Sequence, residues 1–381
     1  MTEPLYIKKK TPDVIDDILY FRYPPTNGVN LILHPQIIKL VKKAKIYDFY
    51  YNFMFKNAFF YLEKIFKTYK PHIIHVHSSY FYGYYISKIV KRYKMPFIFE
   101  VRGFIEDTHV GLGILKEGSL QYRKGQEIRK KIMEKADVIV TLGSNMKKEL
   151  VKQGIDDYKI RIIPNGVDVK KLCPKSPNFS IKQKLGIKNE KLIGYIGSIR
   201  RIEGIEILLM ALKILKEEIN NILLLLIGFG DPIYINELKD LAKKFKILHK
   251  IKFIGEVPNS EIENYYSILD ICVIPRLNYR VNQIVTPLKP LEVMAMEKTL
   301  IASNLPALRE IVKPGVSGDL FQVENAEDLA NKIKMYLFDK NKMNKLGKSA
   351  REYVINNFDW SEVIKKYKSL YENLFDYNNK L

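Results

Sequence analysis

The sequence predicts an α/β protein built from two doubly wound, Rossmann-like domains in tandem. Three observations carry this. Short apolar runs alternate with amphipathic helical stretches, most of the runs end in glycine or a polar residue, and a Pro- and Lys-rich passage divides the series. The 381 residues suffice for two domains, each burying its own core.

Along the chain, segments 72–78, 97–103, 137–143 and 160–166 read as strands, with helical patterns between them. The passage 167–190, with its prolines and lysines, reads as a hinge. A second series follows at 192–198, 222–228, 251–257, 271–275, 299–303 and 318–323. The expected units are a first domain at 1–168 and a second at 169–357. A helical tail at 358–381, carrying the one Trp, either crosses back to the first domain or caps the second. Parallel sheets of this type bind ligands beyond the carboxyl ends of their strands, so a tandem pair directs both ligand edges at one cleft.

The formal net charge of +21 favours partners bearing phosphate: nucleic acid, lipid headgroups or nucleotides. Its lysines are dispersed in a chain rich in Ile, Tyr and Asn, a composition that an AT-rich genome or a hot habitat also produces. Zinc-finger spacing, an RNA-recognition signature and an isolated basic arm are all missing, so no nucleic acid is expected. An anionic membrane surface is the better candidate, because 46–70 mixes aromatics with lysines as interfacial helices do. Its aromatics run nearly all round, which fits a core helix equally. No apolar run approaches the roughly 20 residues that span a bilayer, and the start lacks a signal peptide's apolar stretch. The expected location is cytoplasmic, peripheral on the inner face of the membrane. Cys173 and Cys272 stand far apart without metal-ligand spacing, which supports neither a disulfide framework nor zinc.

The stretch QIVTPLKPLEVMAMEKTLIASNLPALREIV, 283–312, carries the sharpest chemical signal. Thr286 suits an N-cap and Pro287 the first position of a short helix bearing Glu292. Free N–H groups at such an end attract anions. Lys289, in that first turn, opposes the helix dipole unless an anion sits between them; the alternative is a surface pair with Glu292. Upstream, Arg276 and Arg280 in PRLNYRVNQ can close round the same anion. No Asp-x-Asp pair occurs, so no metal is expected, and cationic side chains with helix ends must carry the charge of a departing nucleotide diphosphate. His75 and His77 alternate on one strand face. His77, nearer the strand end, suits the cleft, and His75 a packed core position.

The segments IRIIPNGVD, LIGYIGSIRRIEGIEILLMALKIL, KFIGEVPNSEIENYYSILDICVIP and PLKPLEVMAMEKTLIASNLPALREIVKPGVSGDLF, in this order, resemble the retaining glycosyltransferases of family 4. The likeness runs from Pro71 to the C-terminus. It implies the GT-B fold and hexosyl transfer, retaining and metal-independent, from a nucleotide-diphosphate sugar to a glycan or lipid-linked acceptor, with the nucleotide sugar as substrate and no cofactor. Within the family the chain resembles a branch with EVRGFIED at 100–107 and TPLKPLE at 286–292.

By position, Glu292 matches the second glutamate of the family's E-x7-E pattern, which binds the nucleotide ribose. Ile284 stands at the first, so donor-sugar contacts are expected from Leu288, Lys289, Pro290 and Leu291. Gly197 and Ser198 begin the family's diphosphate-binding G-R-x4-K-G pattern, with Ser198 at its Arg and Glu203 at its Lys. Arg276, Arg280 and Lys289 are the expected substitutes. Val257 matches the position where backbone meets the base. Arg102 replaces the family's histidine near the reacting centre and, with Glu106, is the catalytic candidate. Arginine is no general base at neutral pH but can clamp an acceptor anion or the leaving group. Glu100, Glu106 and Asp107 are either bases or partners that neutralise Arg102. His77, Gly103 and Asp107 are the acceptor-side candidates.

The family's opening strand, Gly-rich turn and helix are not recognised, and TEPLYIKKKTPDVIDDILYFRYPPTNGVNLILHP, 2–35, resembles what normally follows them. The first sheet is therefore expected to be short in its interior. Two alternatives to the transferase remain at this point: a nucleotide-sugar-binding protein without catalysis, and a sugar-nucleotide epimerase of similar architecture.

Overall fold

A computed structural model describes residues 13–15, 18–20, 60 and 62–379 of the chain. Most of the aromatic-lysine segment 46–70 and the opening residues of the chain thus lie outside the described part.

A two-stranded antiparallel ribbon, β1 (Asp13–Ile15) and β2 (Ile18–Tyr20), comes first. The first sheet is parallel and holds β3 (Ile74–His77), β4 (Phe97–Val101), β5 (Val138–Thr141) and β6 (Ile160–Ile162) in unbroken chain order. The expected interior gap is not found among the described strands. Among the described strands β3 stands at one end of the sheet, paired on one side with β4. Central strands of such a sheet are covered on both faces, which is why every residue of β4 and β5 is buried and the sequence there is almost continuously apolar.

The second sheet is also parallel: β7 (Lys191–Ile196), β8 (Ile222–Ile227), β9 (Ile251–Gly255), β10 (Ile271–Ile274), β11 (Thr299–Ser303) and β12 (Asp319–Phe321), in the spatial order β12-β11-β10-β7-β8-β9. The order reverses between β7 and β10, a switch point of the kind where ligands bind. The helix Ile205–Leu215, apolar on nearly every side, fills one face of this sheet, and Lys289–Ala295 with Pro306–Ile311 helps to fill the other. Cys272 is buried in β10, and burial pushes its thiol up to about 12, as befits a packing residue.

The chain crosses between domains twice, side by side. Val167 N–H donates to Phe358 O at 2.9 Å, and Trp360 N–H donates to Val167 O at 3.1 Å. Gly166 lies under the Trp360 indole, where a Cβ would sit 2.7 Å from the ring. The helix Trp360–Asn379 then lies on the first sheet, packing Val363 and Leu370 against Ile98, Val138, Val140 and Ile163. Among the described residues, no helix is long and apolar enough to cross a membrane.

Candidate functional site

The carboxyl end of β7 is shaped by Gly197, whose φ of +139° is one that L side chains rarely adopt. A Cβ there would collide with Lys289 Cε, so the glycine lets the lysine stem lie across the sheet end. The helix starts at Lys289, with Leu288 in the N-cap position. The expected start at Pro287, capped by Thr286, is corrected accordingly. Thr286 is instead buried, its Oγ1 has no hydrogen-bond partner, and its carbonyl accepts from Asn165 Nδ2 at 3.1 Å. Asn165 belongs to the first domain's IPNG segment, so the TPLKPLE loop faces the seam between the domains.

Lys289 does not pair with Glu292. Its Nζ donates to the Tyr195 hydroxyl and, at 2.8 Å, to Glu203 Oε2. Arg276, just past β10, donates to the same carboxylate through Nε at 3.3 Å and Nη2 at 3.2 Å. Two cations, one just past β10 and one at the start of the helix Lys289–Ala295, therefore close round one carboxylate that is only 5% exposed. Burial alone would raise the Glu203 carboxyl, but Arg276 and Lys289 outweigh it and hold it down to about 2. On Lys289 the balance is the reverse: burial dominates and lowers its pKa despite Glu203.

One turn on, Glu292 Oε2 accepts from the Tyr266 hydroxyl at 3.0 Å, and burial raises its carboxyl. The Ser198 carbonyl accepts from the Tyr195 hydroxyl at 2.8 Å, which links the Gly197–Ser198 turn to Lys289. Leu288 is exposed while Pro290 and Leu291 are buried, and Val257 is half-buried on the second core. The structure thus gathers Gly197, Ser198, Arg276 and Lys289 with Glu203, the residue named from sequence only as a departure from a pattern.

Arg280 is not with them. Its Nε lies 3.2 Å from Asp107 Oδ2 and its Nη2 binds Glu149, both in the first domain. Asp107, 4% exposed, also accepts from the Tyr122 hydroxyl at 2.7 Å. Arg280 as a phosphate ligand and Asp107 as an acceptor-side group are both corrected on this geometry: together they clasp the two domains. Glu310 makes a second tie, accepting from the Ser144 and Asn145 backbone N–H groups at 2.6 and 2.7 Å. Those amides open the helix Ser144–Lys152, which has no side-chain cap of its own, so a carboxylate of the other domain supplies it.

At the first domain's strand ends, Arg102 Nη1 donates to Glu100 Oε1 at 2.7 Å and Nη2 to Asn165 Oδ1 at 2.6 Å. Gly103 follows, open enough that a Cβ there would stand 3.7 Å from Val285 across the seam. Arg102, Asn165 and Thr286 hence form a polar line from the first sheet to the TPLKPLE loop. Of the acids weighed as partners of Arg102, only Glu100 serves. Burial would raise the Glu100 carboxyl, but polar contacts from His75, His77, Tyr367 and Arg102 outweigh it and hold it far below the carboxylate range.

Glu106 is turned elsewhere. It is 3% exposed, ion-paired with the fully buried Arg129, and accepts from the Tyr80 hydroxyl at 2.9 Å. Arg129 also stacks on Phe104, 3.8 Å from its ring centroid. The expectation that Glu106 acts in catalysis is corrected: it neutralises a buried guanidinium beneath the loop. His77 is exposed at the strand end, as expected. His75 is not simply core, since its ring stacks on His77 at 4.2 Å and meets Tyr371 from the last helix.

Residues 17–171 match the family model described as Glycosyltransferase Family 4, and residues 178–353 that described as Glycosyl transferases group 1. An uncharacterised glycosyltransferase of Methanocaldococcus jannaschii is 26% identical over 68% of this chain and 64% of its own. Spore coat protein SA of Bacillus subtilis is 28% identical over 56% of this chain and 59% of its own. The chain therefore spans less than two-thirds of the length of these curated relatives. Sucrose-phosphate synthase from Thermosynechococcus elongatus superposes with a TM-score of 0.71 at 23% identity, covering 85% of this chain and 78% of that one. Anabaena HepE, solved in complex with UDP, gives 0.71 at 16% identity, covering 82% and 81%. These neighbours show the fold, two parallel-sheet domains in the GT-B arrangement, and within it the first domain is similar to Glycosyltransferase Family 4 and the second to Glycosyl transferases group 1.

Proposed function

We propose that the protein is a retaining, metal-independent hexosyltransferase that moves a sugar from a nucleotide-diphosphate sugar to a glycan or lipid-linked acceptor. The observation that carries this is the convergence of Arg276 and Lys289 on a single buried anion at the β7/β10 switch point. In the proposal the donor's diphosphate takes the place of the Glu203 carboxylate between those cations. Glu292, released from Tyr266, receives the ribose hydroxyls. Backbone of Leu288–Leu291 contacts the donor sugar, and backbone at Val257 the base. The complex of HepE with UDP supports a uridine nucleotide as the first donor to try.

Across the seam, Arg102 stabilises the departing diphosphate or an anionic group of the acceptor, with Gly103 leaving it room and His77 beside it. Preorganised cations in a water-poor site stabilise developing charge far better than the same groups in bulk water. We place the enzyme in the cytoplasm, peripheral on an anionic membrane, where its charge of +21 holds it near lipid-linked acceptors.

The test is to incubate the full chain with a panel of nucleotide sugars in the presence of a chelator and measure free nucleotide diphosphate. Slow release restricted to one donor is expected, and product NMR should show a retained anomeric configuration. The occupation of Arg276 and Lys289 by Glu203 favours one second reading, a nucleotide-sugar-binding protein without catalysis. Thermal stabilisation by the donor with no release under any acceptor condition would establish that reading in place of transfer.

A further inference from the structure

Outside the donor site, three potential metal ligands meet at the edge of the first sheet. His75 and His77 occupy alternate positions of β3, so both imidazoles project from one face. Glu100 lies beside them on β4, in register with His77. His75 Nε2 stands 3.1 Å and His77 Nδ1 3.3 Å from the same oxygen, Glu100 Oε2, and the three donor atoms lie within 4.8 Å of one another.

Hydrogen bonding alone does not satisfy this arrangement. The Tyr367 hydroxyl already donates to Oε2 at 2.8 Å, so three groups crowd one oxygen that offers about two lone pairs. One group is left over: His75 Nε2 makes no hydrogen bond, although its side chain is only 10% exposed. The other ring nitrogen, His75 Nδ1, lies 2.8 Å from the Tyr371 hydroxyl. If Nδ1 donates there, the Nε2 lone pair faces a carboxylate oxygen, and either a proton or a metal ion between them removes the repulsion; a metal ion does so for both imidazoles at once.

We infer that His75 Nε2, His77 Nδ1 and Glu100 Oε2 form a binding site for a borderline divalent metal ion of the zinc class. Zinc takes imidazole and carboxylate ligands at about 2.0–2.2 Å in tetrahedral geometry, which sets neighbouring donor atoms about 3.3 Å apart. The 3.1 and 3.3 Å from the two imidazoles to Glu100 Oε2 fit that spacing, and the two ring nitrogens lie within 4.8 Å of each other. Two imidazoles to one carboxylate select zinc, nickel or copper over magnesium and calcium, which prefer oxygen. Tyr371 supplies the outer partner that fixes the ring of a metal-bound histidine. Arg102 engages the other carboxylate oxygen, so guanidinium and metal take one oxygen each. His77, with 57% of its side chain exposed, leaves the fourth position open to water and gives the ion a way in. Because Tyr367 and Tyr371 belong to the last helix, the ion fastens that helix to the first sheet.

The experiment uses the untagged full chain, stripped with a chelator and titrated with Zn2+, and in parallel with Co2+, whose visible absorption reports tetrahedral coordination. One equivalent of Zn2+ is expected, with a rise in melting temperature and no comparable effect of Mg2+. His77→Ala changes an exposed side chain, so the fold is expected to persist while the bound equivalent is lost. Tyr371→Phe should weaken Zn2+ binding by about 10–100-fold, the usual effect of losing an outer partner. No bound equivalent in the unmodified chain, binding undiminished in His77→Ala, or equal binding of Mg2+ would each overturn the assignment.

Discussion

Replacing Glu203 by Gln separates the protein's resting stability from its affinity for a nucleotide, and the two should move in opposite directions. In the folded chain the Glu203 carboxyl is held at about 2 against an ordinary 4.5, a difference worth about 3 kcal/mol at 1.36 kcal/mol per unit. Its side chain is 6% exposed, so solvent screening removes little of this. Because the folded value is depressed, this stability is fully present above pH 4.5 and is lost as pH falls toward 2. Glu203→Gln should therefore unfold about 3 kcal/mol more easily at pH 7 and show a flatter stability profile between those two values. Two cations relieved of their internal partner are then free for phosphate. A nucleoside diphosphate should bind about tenfold tighter, equivalent to 1.4 kcal/mol, while the nucleoside binds as before. Urea titrations at several pH values and calorimetric titration with UDP and uridine measure both. A folded variant that binds UDP no better than the unmodified chain would refute the idea that Glu203 stands in the place of the diphosphate.

Lys289→Ala should weaken nucleoside diphosphate binding by more than nucleoside binding, and equal losses measured by calorimetry would remove it from the phosphate site. Glu292→Gln should impair binding of ribonucleosides generally, while 2′,3′-dideoxynucleosides, already weak, should change little. Glu106→Gln leaves Arg129 buried without its charge partner, so a loss of about 3–5 kcal/mol in urea unfolding is expected. A catalytic role for Glu106 would instead give an inactive chain of unchanged stability. Gly166→Ala places a Cβ 2.7 Å from the Trp360 ring and should cost about 1–3 kcal/mol, seen as a lower melting temperature.

The strands were legible because burial on both faces writes itself into the sequence as uninterrupted Ile, Val, Leu and Phe. Segments 222–228 and 271–275 anticipate β8 and β10 to within one residue. What was not legible is where long polar side chains end. Lys289 and Glu292 stand at the spacing of a helical surface pair, yet Lys289 reaches back 86 positions to Glu203, because Gly197 leaves a channel for its stem. Arg280 reads like a companion of Arg276 four residues away, but the turn between them sends it to Asp107, 173 positions distant. Glu310 gives no local signal at all. The only hint lies at its target, a helix opening at Ser144 without a side-chain cap. Likewise the tyrosine partners of His75 come from a helix almost 300 residues later, a distance fixed by the tail's return across the seam.

That return has a mechanical consequence. A single connecting strand lets two lobes swivel about many axes, whereas two connections bonded to each other, with Trp360 wedged over Gly166, act as a two-pin hinge with one easy axis. Any swing of the lobes about it would part Arg280 from Asp107 and Glu310 from Ser144 together. The far rim would then gape while the C-terminal helix travels as cargo of the lobe it did not fold from.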